Sequence, residues 1–283
     1  MEITRIPLGS WIESGLTWLT SEYSVVTRGI SRVTQAGINS LNDGLMWLPE
    51  WALLAIIALL CWKLASTRLA IGAVAGLALI WNLGLWNPMI ETLTLVVIAT
   101  LVAVVIALPV GIAAALSERL YRVIMPVLDF MQTMPAFVYL IPALMLFGLG
   151  KVPAILATVI YAAPPVIRLT DLGIRLVDQE VLEASRSFGA SRKQILFGVQ
   201  LPLALPNIMA GINQTTMMSI SMVVIASVIG ARGLGEQVLM GIQRLDVGAG
   251  MEAGIAIVLL AVVFDRIGQA YGKRSQRSHA EDV

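Results

Sequence analysis

The sequence predicts an all-α, polytopic membrane helical bundle with about seven crossings and an N-terminal amphipathic helix. Three observations carry that prediction. Hydrophobic residues make up 58% of the 283 residues and charged residues 13%, with a mean hydropathy of +0.84, a composition suited to lipid rather than water as solvent. Apolar stretches at 45–63, 68–86, 90–116, 124–149, 152–168, 207–230 and 251–268 lie in the range of the ~20 residues a helix needs to cross a bilayer. These stretches are long and continuous, whereas the strands of a membrane barrel run to ~10 residues and alternate in polarity.

Residues 1–44 show no secretory signal pattern, because no basic start leads into a compact apolar run with a small-residue cleavage site. Ile12, Leu16, Leu19, Tyr23, Val26, Ile30 and Val33 instead recur at spacings of four and three, which stacks them on one face of a helix. Such a stripe suits a helix lying in the outer membrane interface, or one packed on a partner protein or a second copy. All seven Trp residues occur by position 86, and Trp47, Trp51, Trp62, Trp81 and Trp86 fall near the ends of the first two apolar stretches, where an indole can meet the headgroups.

Lys63 and Arg68, Arg119 and Arg122, Arg168 to Lys193, and Arg266 to Arg277 mark alternate connections, which are therefore expected to be cytoplasmic. Seven crossings then put the N-terminus outside and the C-terminus in the cytoplasm. The chain divides into an extracytoplasmic amphipathic segment (1–44), two peripheral helices (45–86), a core (87–270) with a long cytoplasmic loop (170–206), and a cytoplasmic tail (271–283).

The core carries unusual proline and polar content. Pro135 and Pro142 interrupt an apolar run; each removes a backbone bond and frees a carbonyl one turn earlier, a defect that lipid tolerates only where protein or water satisfies it. Gln132, Thr133 and Pro135 are thus expected to face the bundle interior, either at a packing kink or along a pathway. Pro164 and Pro165 break the next stretch in the same way. In GINQTTMMSIS, Gln214, Met218 and Ser221 share one helix face, and Thr215, Ser219 and Met222 another; close helix packing and a weakly polar passage are both open readings. Asp129, deeper than the other ionisable residues, reads as a hydrogen-bonded structural carboxylate or as a proton or cation site.

Several classes are excluded. The net charge of +1 and the lack of a basic run with aromatics give no nucleic-acid signature. Cys61 and His279 are each alone, so no disulfide or Cys/His metal cluster forms within one chain. No G-x-x-x-x-G-K-[ST] loop occurs, GLGK at 148–151 lacking its spacing, and no deep cluster of titratable groups suits acid, base or nucleophilic work. The chain is not expected to be an enzyme or to hold a cofactor.

The segment EASRSFGASRKQILFGVQLP at 183–202 stands apart. A helix with carboxylates toward its start, a sharp turn at Gly189 and a second short helix limited by Pro202 would project a knob with small residues and mixed charge. That knob suits docking into a partner's groove.

Glu183, Ala184, Ser185, Gly189, Val199, Leu201 and Pro202 match the spacing of the EAA motif of binding-protein-dependent ATP-driven importers, with Ser185 for the second Ala and Val199 for Ile. RIPL, LDFMQTMPAFVYLIPAL, PPVIRLTDLGIR, GINQTTMM, SMVVIASVIGARGLG and EAGIAIVLLAVVFDR extend the likeness along nearly the whole chain. The sequence resembles the permease of glycine betaine/proline betaine importers, the quaternary-amine branch of type I ABC importers; Arg232 is a visible departure.

The resemblance implies osmoprotectant import across a bacterial inner membrane by alternating access. It implies a homodimer of permeases, two copies of an ATPase subunit that bind ATP and Mg, and an extracytoplasmic substrate-binding protein. Glu183, Ala184, Ser185, Phe188, Gly189 and Arg192 would form the coupling surface, and Gln132, Thr133, Pro135, Gln214, Met218 and Ser221 the pathway. Choline, carnitine or proline remain alternative substrates. A secondary transporter working alone would explain the bundle but not the knob.

Overall fold

The computed structural model describes the backbone of residues 7–281 and the side chains of residue 7 and residues 9–270. Most of RIPL, the His279 side chain and the end of the tail lie outside the described residues. Every regular element among the described residues is helical.

The N-terminal region forms two helices rather than one: α1 (Leu8–Glu22) and α2 (Ser24–Trp47) are separated at Tyr23. The apolar stripe stays uncovered, with Val26, Ile30 and Val33 exposed. The opposite side of α2, carrying Thr27, Ser31 and Thr34, turns inward, and Ile38 on that side is fully buried. Ile38 joins a core cluster with Leu95, Ala99, Ile155 and Met222, so this helix docks on the bundle through its weakly polar face. The small hydroxyls permit that close approach.

α3 (Glu50–Leu64) and α4 (Thr67–Asn82) have 15 and 16 residues. At 1.5 Å per residue each is ~22–24 Å long, short of a ~30 Å hydrocarbon core. α2 bends into α3 by 103°. Trp47, Trp51, Trp62 and Trp81 are exposed, as interfacial anchors would be, but Trp86 is buried beside Met89, Ile90 and Leu234 instead.

α5 (Trp86–Leu116) is the longest unbroken apolar helix, with Ala99, Ala103, Ala107 and Ala114 buried along one stripe. A Cβ at Gly111 would stand 2.8 Å from the Ile167 carbonyl oxygen, so glycine there sets how near α5 comes to α9 (Pro164–Arg175). α6 (Glu118–Thr133) is capped by the Ser117 hydroxyl, which accepts from the Leu120 N–H. The expected crossing at 124–149 is then bent by 110° at Pro135, through a 3-10 turn (Ala136–Tyr139) into α7 (Leu140–Phe147).

α8 (Lys151–Ala162) and α9 read as one buried span despite Pro164 and Pro165. α9 packs on α12 (Leu201–Ala226), which in turn packs on α14 (Val247–Glu281), with the amphipathic α13 (Leu234–Arg244) laid against α14, Gly241 meeting Gly250. Among the described residues, four helical stretches are long and apolar enough to cross a membrane, and six if each bent pair counts as one span. With the short α4 they account for all seven apolar stretches read from the sequence. Residues 45–47 of the first stretch belong to α2 instead, because Pro49 starts a new helix.

Candidate functional site

The knob is built on α10 (Gln179–Ser187) and α11 (Arg192–Ile195). Asp178 starts α10 by accepting the Glu180 N–H at 2.9 Å. Leu182, Val177 and Ile195 form a small core of their own beneath it. Gly189 then takes φ +80°, a conformation that costs a residue with a Cβ ~1–2 kcal/mol. Nothing lies within 4 Å of where that Cβ would be, so conformation and not space selects glycine. Ser191 and Gln194 close a capping box on α11.

Pro202 does not end the second helix as the sequence suggested. α11 runs on through a π turn (Leu196–Gln200) into α12, with Pro202 in its first turn. Pro202 has no N–H to give to the preceding turn, and the π turn before it absorbs the irregularity.

Glu183, Ala184, Gly189 and Arg192 are exposed and Ser185 is half-buried, its hydroxyl turned to the Val181 carbonyl at 2.8 Å. Phe188, at the end of α10, stands 92% exposed, an apolar ring with no cover from its own chain. Beside it an open groove of about 630 Å³ is lined by Leu116, Arg186, Ala190, Arg192, Ile195 and Gln200.

Two further groups of polar residues are open, one at the α6–α7 bend and one on α12. Gln132, Thr133 and Pro135 are exposed at the α6–α7 bend, outside the single-chain interior where the proline argument put them; the chain covers the other side of α6, through Ile124, Met125, Leu128 and Met131. Pro135 leaves the Met131 carbonyl without its helical donor, and the Tyr139 hydroxyl supplies one. On α12, Gln214 and Ser221 are exposed with Met218 half-buried between them, while Thr215, Ser219 and Met222 are buried. Thr215 donates to the Ala162 carbonyl at 2.7 Å across the Pro164 break, Thr100 donates to Ser219 at 3.3 Å, and Asn213 donates to Asp265 at 2.8 Å. One face of α12 is therefore packing and the other is open.

Asp129 is paired with Arg168, as a structural carboxylate would be. Sequence reading missed Arg175. Its guanidinium meets Glu118 at the start of α6, Asp171 Oδ1 at 2.8 Å, the Ala114 carbonyl at 3.0 Å, and the Tyr121 ring with 4.4 Å to the centroid. It thereby ties α5, α6 and α9 together just before α10. The i,i+4 spacing of Asp171 and Arg175 was a readable signal; Glu118, 57 positions away, was not.

Comparison with known proteins bears on what this arrangement does. The family model described as binding-protein-dependent transport system inner membrane component matches residues 107–277. The chain belongs to this family. The glycine betaine/proline betaine transport system permease protein ProW of Escherichia coli (strain K12) is 46% identical, with 96% of this chain and 77% of that protein covered. The glycine betaine/carnitine transport permease protein GbuB of Listeria monocytogenes serotype 1/2a is also 46% identical, with 97% and 98% covered. The inward-facing MetNI methionine ABC transporter shares the fold, at a TM-score of 0.61 and 23% identity over 68% of this chain and 95% of the matched one. This inner membrane component is therefore a multi-pass helical permease of a binding-protein-dependent system.

Proposed function

We propose that this permease forms the pathway of an ATP-driven importer that carries glycine betaine/proline betaine-type osmoprotectants into the cytoplasm by alternating access. The observation that carries this reading is the likeness along nearly the whole chain to permeases named for glycine betaine. Two copies enclose the pathway, two ATPase subunits hold the ATP and Mg, and an extracytoplasmic binding protein delivers the solute. The N-terminus lies outside and the C-terminus in the cytoplasm, in keeping with the Lys and Arg distribution.

The ATPases grip the knob through Glu183, Ala184, Ser185, Phe188, Gly189 and Arg192; the uncovered Phe188 ring and the groove beside it suit such a partner. Their closure on ATP moves the knob and switches the pathway. Gln132, Thr133, Pro135, Gln214, Met218 and Ser221 line that pathway, supported by their openness in the single chain. Polar groups left in hydrocarbon are costly, so this side suits water or a second copy.

The test is ATP-dependent uptake of labelled glycine betaine into proteoliposomes that hold this chain with its ATPase and binding protein, challenged by excess choline or proline. Uptake that choline leaves untouched supports betaine as the substrate. Suppression by choline, with choline itself carried, assigns the chain to choline import, and uptake without the ATPase overturns the coupled mechanism.

A further inference from the structure

We infer that the Asp129–Arg168 pair is a contact site for a zwitterionic solute on the translocation pathway, exchanging its two charges for those of the passing molecule. This inference rests on the betaine reading above. The pair joins α6 to α9, both within the apolar bundle. Its position is unusual: the Asp129 side chain is 67% exposed and that of Arg168 33%, in segments where a charge facing hydrocarbon is expensive. That exposure belongs to a face that meets water or a second copy, not lipid tails.

The surroundings point the same way. Gln132 and Thr133 follow Asp129 by three and four residues and are also exposed, which continues the polar side of α6 toward the Pro135 bend. The opposite side of α6 is occupied by Leu128 and Met131, packed on α5 and α9. The Arg168 Nε atom is buried and Nη2 meets Asp129, so the guanidinium serves the pair through its terminal nitrogens.

A solute with a quaternary ammonium at one end and a carboxylate at the other suits such a pair. Its carboxylate takes the place of Asp129 on the planar guanidinium fork, and its ammonium takes the place of Arg168 against the Asp129 carboxylate. One ion pair becomes two, and no charge is left unpaired during the exchange. The surplus is small, which fits a pathway whose sites must be left as readily as they are entered. A simple cation would meet Asp129 but strand Arg168; a simple anion would do the reverse. The pair therefore favours zwitterions over singly charged relatives of the same size.

Occupancy can be read directly on the assembled permease and ATPase without the binding protein. Thr133→Cys, in a Cys61→Ala background, serves as a reporter whose labelling rate with a small thiol reagent is followed as glycine betaine is added. The expected result, for a contact with a dissociation constant on the order of 10 mM, is labelling slowed roughly threefold at a few times that concentration, with choline at equal concentration giving less protection. The neutral pair Asp129→Asn with Arg168→Gln removes both charges while leaving polar side chains in place, and should abolish protection while thermal unfolding and ATP hydrolysis show the complex intact. Equal protection in the neutral variant, equal protection by choline, or no protection in the parent overturns the inference. Should the neutral variant fail to assemble, the comparison of betaine with choline in the parent decides it alone. Failure of the parent complex to import betaine with its binding protein would instead sink the functional reading on which this rests.

Discussion

Pro135 has no N–H, so the Met131 carbonyl loses its helical donor, and the Tyr139 hydroxyl takes that place. Tyr139→Phe keeps the ring and removes one of the two donors to that carbonyl, leaving it the Met134 N–H at 3.3 Å, at a cost of about 1 kcal/mol. The expected outcome is a lower midpoint in thermal unfolding of the complex; an unchanged midpoint would show that water serves equally well. Gly189 makes a contrasting case. Because nothing lies near its missing Cβ, Gly189→Ala strains only the local backbone, by about 1–2 kcal/mol, and the bundle should fold as before. Gly189→Asp adds a charge at the turn of the knob, and is expected to let ATP hydrolysis proceed with little uptake. Normal uptake by that variant would remove this turn from the coupling surface.

At the scale of elements, α12 presents its two uses on two faces. Gln214→Leu changes the open face and should lower uptake while the complex assembles normally. Thr215→Val strips the hydroxyl from the Ala162 carbonyl and should lower stability by about 1 kcal/mol without a change in solute preference. The reverse pattern in the two variants would exchange the roles of the faces. This division was legible in the sequence, since the 3.6-residue period separates Gln214, Met218 and Ser221 from Thr215, Ser219 and Met222 whatever they touch. The turn at Gly189 was legible for the same local reason. The junction at Arg175 was not: the side of α6 that meets α9 is set by packing between distant segments, and no local period encodes the Glu118 contact. Nor could the sequence show that α11 would pass through Pro202, because a helix that ends at a proline and one that absorbs it in a π turn read alike. Arg175→Gln should loosen the tie between α6 and the start of the knob, and a fall in solute moved per ATP hydrolysed is the measurement that checks it. An unchanged ratio would leave Arg175 a purely structural hub.

At the scale of the molecule, the seven apolar stretches gave the helical bundle, since backbone groups in lipid must be satisfied within each segment. How many of them cross unbroken was hidden, because hydropathy does not report a 103° or 110° bend. The polar groups left open on α6 (Gln132, Thr133) and on α12 (Gln214, Ser221) predict that one chain alone is incomplete. Mass measurement of the detergent-extracted complex should find two copies of this chain, and a single copy would return these residues to an unexplained exposure.

The docking of α2 also has a consequence for the order of events during synthesis. Ile38 is made early, yet its burial requires Ile155 and Met222, residues that leave the ribosome only after another 117 and 184 positions of chain. At ~5–20 residues per second, the first long helix to emerge waits several seconds or more for the surface that will hold it. Meanwhile the face that carries Ile38 has no native partner, so a helix made ahead of the core is among the last to reach its native neighbours.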